Sequence, residues 1–267
     1  MNLQNIISEI EKIDPEVYER FNSRRNLFRA GAKLAAAAIP VALGSAFNKA
    51  YAQTSMKQQI IDILNFALTL EHLEAEFYNI GFTTPGLIPN NSDRRNFQQI
   101  RSDENQHTFV LKSTIQSMGG MAIEKPRFDF TAKGAFPTVF SNYDVFKTVA
   151  QAFEDTGVRA YKGQAPNLMS DKNILQAALQ IHSVEARHAA VIRNLRGAKP
   201  WIPFSESNGA PAAVYQGENA VIQLTPAPIN VSSTVAFEGI SDMAVSESFD
   251  EPLTRDQVLA IVRPFLA

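Results

Sequence analysis

Four long stretches of the chain repeat apolar residues every three to four positions, which is the spacing of one face of an α-helix. The stretches cover about residues 55–80, 92–118, 143–161 and 171–196. Short loops join the first to the second and the third to the fourth. A longer segment with two prolines, residues 121–142, separates the two pairs. The pattern predicts an all-α fold, an antiparallel four-helix bundle in which a long crossover joins two helical hairpins.

The pattern changes after the fourth stretch. Residues 199–253 are rich in Pro, Ser, Val and Ala and contain short alternating runs such as residues 213–216. Alternation of this kind predicts extended segments, which we expect to lie on the bundle. Thr254 and Gln257 have the spacing of a capping box, which predicts a short last helix that ends at about Phe265.

Two of the helical stripes carry a glutamate and a histidine at apolar positions. Glu104 and His107 lie in the second stretch, and Glu185 and His188 lie in the fourth. Residues three apart in a helix are almost one turn apart, so the carboxylate and the imidazole of each pair leave the same face. Both pairs are therefore predicted to point into the bundle.

A further glutamate precedes each pair at nearly the same distance. Glu71 precedes Glu104 by 33 residues, and Glu154 precedes Glu185 by 31. This distance leads from the middle of one helix to the middle of its antiparallel neighbour. A buried carboxylate needs a metal, a counter-charge or a proton, because burying it alone costs several kcal/mol. Glu74 lies one turn after Glu71 and competes with it as a ligand, but the equal spacing favours Glu71.

A bundle with one glutamate from each of two helices and Glu-x-x-His from each of the other two is the di-iron or di-manganese carboxylate arrangement. The chain therefore resembles the ferritin-like superfamily over roughly residues 55–197. The resemblance implies two iron or manganese ions, held by six ligands: Glu71, Glu104, His107, Glu154, Glu185 and His188. It also implies a di-metal oxidoreductase that oxidises iron or reduces peroxide, with oxygen or peroxide as substrate. Homo-oligomer formation stays open.

A second function class competes with the enzyme. The C-terminal region resembles the extension of exported ferritin-like proteins related to the desiccation-associated group. This resemblance implies a non-enzymatic structural bundle that acts under stress or desiccation, in which metal is absent or only stabilises the fold. Metal content distinguishes the two classes.

A tyrosine follows Glu71 and another follows Glu154, at the same distance in both cases. Tyr78 follows Glu71 by seven residues, and Tyr161 follows Glu154 by seven. Two helical turns place each tyrosine on the face of its glutamate, where the hydroxyl could hydrogen-bond a ligating carboxylate or relay an electron. Both are therefore candidate catalytic residues. The alternative for each is ordinary packing of a half-buried aromatic ring.

The other two histidines are assigned less directly. His72 is rotated about 100° from the inward stripe, which predicts a surface histidine or one in a helix contact. His182 lies three residues before Glu185 on nearly the same face. It is either a hydrogen-bond donor to the site or a core histidine with its own partner.

The chain before Gln53 resembles a twin-arginine export signal. Arg24 and Arg25 precede a weakly apolar run, Leu34–Phe47, which is shorter than the roughly 17–25 residues of a membrane-spanning helix. Ala50–Ala52 has the form of a signal-peptidase site. The alternative is an amphipathic helix followed by an Ala-rich packed helix. The predicted organisation is a signal peptide (1–52), a four-helix bundle (53–198) and a C-terminal extension packing on the bundle (199–267). We expect a periplasmic or otherwise exported protein and the export machinery as a partner.

Composition narrows the function further. The chain is 45% hydrophobic and 19% charged, as in a globular protein, and its net charge is −2. No basic run follows the signal, so a nucleic-acid partner is not expected. The absence of cysteine excludes disulfides, thiolate zinc sites and iron–sulfur centres.

Overall fold

The computed structural model describes residues 42–220, 222–223, 229–230 and 240–267, with side chains in the first helix from Ser55 onward. The chain divides into two compact units, Met1–Gln53 and Thr54–Ala267. The site and all of the fold below belong to the second unit, apart from the first residues of α1, which lie before Thr54. The export-signal prediction falls on residues 1–52, most of which lie outside the described residues, so it stays a prediction. Within the described ranges, no helix is both long and apolar enough to cross a membrane.

Four long helices form the bundle, which confirms the predicted all-α class. They are α1 (Ala42–Thr83), α2 (Ser92–Ser117), α3 (Tyr143–Gln164) and α4 (Lys172–Leu195). Two shorter helices follow, α5 (Asp242–Ser246) and α6 (Arg255–Val262). Strands β1 (Ile222–Gln223) and β2 (Ile229–Asn230) form one short antiparallel pair. The inward stripes of the long helices make two apolar clusters, and buried polar residues lie among them.

Side-chain caps fix where most of these helices begin. Asn91 accepts from the backbone of α2, Asn142 from α3 and Asp171 from α4. Thr254 begins α6 with the predicted capping box. In α2 the capping bond is donated by the backbone N–H of Asp93.

The first helix is longer at both ends than the apolar pattern predicts. It begins at Ala42 rather than near residue 54, and no proline interrupts the sequence between Pro40 and Pro85. At the other end it passes through Gly81 and ends at Thr83. A Cβ at Gly81 would lie 2.2 Å from the ring of Phe146. This glycine is therefore a close contact between α1 and α3 and not a helix end.

Helix α3 is buried on every side, although its sequence predicts a single inward stripe. Every residue from Val149 to Tyr161 is buried. The C-terminal extension covers the outer face. Its Leu253 packs so closely on Gly163 that a Cβ there would lie 2.0 Å from the Leu253 backbone oxygen. Residues of the extension also accept hydrogen bonds from Arg159. The extension thus makes α3 the central helix of the molecule.

Part of the extension differs from its predicted form. The alternating run at residues 213–216 was predicted to be extended, but Ala212–Tyr215 forms a 3₁₀ turn after Pro211. Proline presets the backbone for such a turn, and the turn buries Tyr215 against the bundle. The far end of the chain is also fixed, since Phe128 pairs with Leu266 in an isolated bridge to the crossover.

Candidate metal centre

Six buried side chains from the four long helices converge in the middle of the bundle. Two groups of potential ligand atoms are present, and within each group all atoms lie within 4.8 Å of one another. The first group is Glu71, Glu104, His107 and Glu185, and the second is Glu104, Glu154, Glu185 and His188. The groups share Glu104 and Glu185, the glutamates of the two Glu-x-x-His pairs. The arrangement offers two neighbouring positions with two bridging carboxylates, here called metal positions 1 and 2.

His107 faces three carboxylates at position 1. Its Nδ1 lies 3.3 Å from Glu71 Oε2, 3.3 Å from Glu104 Oε2 and 3.0 Å from Glu185 Oε1. Three acceptors cannot all receive one N–H proton, so the nitrogen lies at the focus of the carboxylates rather than in a single hydrogen bond. The side chains of all three glutamates are fully buried.

His188 has the matching place at position 2, with one further partner. Its Nδ1 lies 2.7 Å from Glu104 Oε1 and 3.4 Å from Glu154 Oε2. Its Nε2 lies 3.1 Å from Asp103 Oδ2 on the outer side. A carboxylate on the second ring nitrogen fixes the tautomer that leaves Nδ1 free to bind. Asp103 was missed at the sequence level, because its position beside Glu104 in the chain does not show which ring it contacts.

The carboxylates fit a pair of cations better than they fit one another. At least one oxygen of Glu71, Glu104, Glu154 and Glu185 is buried without a hydrogen bond of acceptable geometry, as is Nδ1 of His188. Buried polar atoms in proteins almost always have partners. These atoms point at shared positions, and mixed oxygen and nitrogen donors suit iron or manganese. Two divalent ions would neutralise four carboxylates.

Burial and neighbouring charges shift the pKa values of the glutamates in the metal-free site. Burial raises the pKa of Glu104 to about 7, although hydrogen bonds from His107 and His188 lower it. Burial and the charges of Glu104 and Glu71 raise the pKa of Glu185 well above its ordinary value. Burial also acts to raise the pKa of Glu71, but the hydrogen bond and charge of His107 outweigh it and lower that pKa.

The imidazoles respond in the opposite way to burial. Burial lowers their pKa, but the charge of Glu154 and the bond to Glu104 raise the pKa of His188 to about 12. Hydrogen bonds to Glu104 and Glu185 raise the pKa of His107 likewise. Divalent ions would take the place of these protons, so metal binding at this site releases protons.

Glu74 is a fifth carboxyl in the same core. It belongs to neither group of ligand atoms, so the structure brings Glu71 and not Glu74 to position 1. Burial, and next the charge of Glu185, raise the pKa of Glu74 well above its ordinary value. Both carboxyls fill the space beside Gly157, since a Cβ there would lie 3.3 Å from Glu74 Oε1 and 3.1 Å from Glu185 Oε2. Glu74 is therefore a buried acid beside a bridging ligand, in surroundings that favour its protonated form.

The two tyrosines bond carboxylates of the site, but across the bundle. Tyr78 on α1 donates to Glu154 Oε1 on α3 at 2.5 Å. Tyr161 on α3 donates to Glu71 Oε1 on α1 at 2.5 Å. The predicted hydrogen bond to a ligating carboxylate is present for each tyrosine, and in each case the acceptor is the glutamate of the other hairpin. These two hydrogen bonds join α1 to α3 beside both metal positions.

The remaining histidines lie outside the ligand groups. His72 is 5% exposed, so the surface alternative was wrong. It hydrogen-bonds the backbone of Ile123 in the crossover. His182 is half-buried and hydrogen-bonds the backbone of Val158. It thus packs between α3 and α4 with a partner of its own.

A buried ionic network behind α3 was also missed from the sequence. Arg193 on α4 pairs with Asp155 at 2.9 Å, and Tyr215 donates to the same carboxylate at 2.7 Å. One turn further along α3, Arg159 pairs with Glu218 at 2.5 Å, and both side chains are almost fully buried. Polar residues at Asp155 and Arg159, four apart in an apolar helix, were the available signal. The network joins the extension to the helix that carries Glu154.

The fold and the site define a class, the four-helix bundles with a carboxylate-rich centre. The family model described as a ferritin-like domain matches residues 59–198, just over half of the chain. The chain therefore belongs to the ferritin-like family. No curated protein matches its sequence significantly.

Proposed function

We propose that the protein is a di-metal carboxylate oxidoreductase of the ferritin-like family. The observation that carries the proposal is the pair of overlapping ligand groups, each with a histidine and a terminal glutamate around two shared glutamates. When bound, two iron or manganese ions would supply two electrons, one from each ion. With two protons, these electrons reduce dioxygen to hydrogen peroxide, or hydrogen peroxide to two molecules of water.

The residues of the chain have separate tasks in this proposal. Glu71 and His107 would hold position 1, and Glu154 and His188 would hold position 2. Because Asp103 bonds the outer nitrogen of His188, the inner nitrogen is kept for the ion.

Proton supply falls to the groups around the ligands. Both reductions consume two protons, and Glu74 holds a proton in the core beside Glu185. The hydroxyls of Tyr78 and Tyr161 keep the terminal glutamates oriented and are placed to relay an electron to the site. These assignments rest on position and burial.

Export is part of the proposal and rests on the sequence alone. The arginine pair, the short apolar run and the small-residue cleavage site before Gln53 favour a protein that crosses the cytoplasmic membrane already folded. Folding before export would allow the ions to be inserted inside the cell.

Metal analysis of the purified protein tests the proposed function. Protein supplied with iron or manganese should hold about two ions per chain, and a variant with Glu104→Ala and His107→Ala should hold far fewer. Asp62→Ala, which removes an exposed carboxylate from α1, is the matched control and should keep both ions. A parent protein that is stably folded and free of metal would refute the proposal and support the structural, stress-associated alternative.

A further inference from the structure

An apolar cavity lies between all four long helices at one end of the candidate metal centre. Its volume is about 30 Å³, more than the roughly 10–15 Å³ that a water-sized molecule requires. Its wall is almost wholly apolar. Val110, which lines the cavity on α2, is 42% exposed.

The inner end of the cavity lies next to metal position 1. Ala67, Leu111 and Ile181 line the cavity. Each is four residues from a ligand of position 1 along its own helix: Ala67 from Glu71, Leu111 from His107 and Ile181 from Glu185. Four residues are about one helical turn, a rise of roughly 5–6 Å on the same face. Tyr161 also lines the cavity, and its hydroxyl bonds Glu71.

The opposite end of the centre is closed by aromatic rings. Tyr78, which bonds Glu154 at position 2, packs against Phe97 and Phe146 with ring centroids 6.1 and 6.3 Å apart. Phe77 stacks on Phe146 at 4.7 Å. All four rings are at most 1% exposed. The two halves of the bundle repeat the same ligands, but the apolar cavity lies on the side of position 1, and packed aromatic rings lie on the side of position 2.

The lining of the cavity selects what can occupy it. An apolar cavity of this kind stays dry and takes up small apolar molecules. An ion or a hydrogen peroxide molecule would lose its hydrogen bonds to water there and find almost no polar surface in return. Dioxygen is small and apolar and loses none.

We propose that this cavity holds dioxygen and delivers it to metal position 1 past Tyr161. The inference rests on the proposed function and makes it more specific, because it names dioxygen rather than peroxide as the oxidant.

Xenon tests the cavity without any reaction. In crystals of metal-free protein under xenon pressure, we expect xenon between Ala67, Leu111 and Ile181. Ala178→Leu, at a buried position in the wall, should fill the cavity and remove the xenon. Ala186→Leu, the same change at an exposed position of α4, should leave it. If Ala178→Leu fails to fold, Leu168→Ala widens the cavity instead and should increase xenon occupancy.

The reaction of the iron-loaded protein tests the route. Ala178→Leu should slow reoxidation by dioxygen at least about tenfold, while its reaction with hydrogen peroxide stays as in Ala186→Leu. Absence of xenon from the parent cavity, or equal dioxygen rates in both variants, would overturn the route and leave the proposed function standing. A parent protein that binds no iron would overturn both.

Discussion

Replacing Glu104 by glutamine should make the metal-free protein more stable at pH 8 and less responsive to metal. Glu104 is fully buried between the two histidines, and burial raises its pKa from 4.5 to about 7. A raised pKa in the folded state means that folding favours the protonated form. The stability that protonated Glu104 contributes to the folded state is complete below pH 4.5 and is lost as the pH rises through about 7.

The size of the pKa shift of Glu104 sets how much stability is lost at pH 8. A change from 4.5 to about 7 corresponds to roughly 3 kcal/mol, or roughly 6–12 °C in melting temperature for a domain of this size. The raised pKa of His188 acts in the same direction. The stability that protonated His188 contributes is complete below pH 6.5 and is lost as the pH rises towards about 12. The metal-free parent should therefore be less stable at pH 8 than at pH 5.

Chemical denaturation of chelated protein at pH 5 and pH 8 measures this directly. Glu104→Gln should remove the share of the loss at pH 8 that belongs to Glu104, because an amide has no proton to release. Added Fe²⁺ or Mn²⁺ should raise the stability of the parent at pH 8, since only the folded state binds the ions, and should raise that of the variant much less. A metal-free parent that becomes more stable from pH 5 to pH 8 would refute the reasoning, as would a variant with the same pH profile.

Three further predictions follow from other parts of the molecule. Tyr161→Phe removes a buried donor and should lower the free energy of unfolding by about 1–3 kcal/mol. Tyr143→Phe, at a half-buried site, should lower it by less. Equal losses in the two variants would contradict this prediction. Arg159→Met leaves Glu218 as an uncompensated buried charge and should cost about 3–5 kcal/mol in the same measurement, part of which Glu218→Gln should restore in the double variant; no recovery would argue against the ion pair. Replacing the Arg24–Arg25 pair by two lysines should leave uncleaved precursor in the cytoplasm on fractionation, and normal export would rule out the twin-arginine assignment.

The sequence was sufficient for the class of fold and for the six residues that meet at its centre. Both follow from spacing within single helices, because a helix fixes which residues share a face. Glu104 and His107 point the same way in any α-helix, and an inward glutamate such as Glu71 is conspicuous on an apolar stripe. The choice between Glu71 and Glu74 also agreed with the geometry.

Contacts between helices needed the tertiary structure. Tyr78 was placed on the correct face, but its partner is Glu154 on another helix, because spacing along one helix says nothing about the offset of its neighbour. Asp103 was missed for the same reason. The apolar pattern predicted that the first helix ends at about residue 80, but α1 continues through Gly81, which makes room for Phe146.

The long-range contacts of the C-terminal extension were beyond the sequence pattern altogether. Arg159 and Glu218 are separated by more than fifty residues and form a buried pair only because the extension crosses the outer face of α3. The cavity beside Tyr161 is likewise a gap between four helices that no single segment encodes. The sequence determined which side chains enter the core, since local periodicity governs direction. Which of them meet, and where space remains, was decided by how the helices and the extension pack.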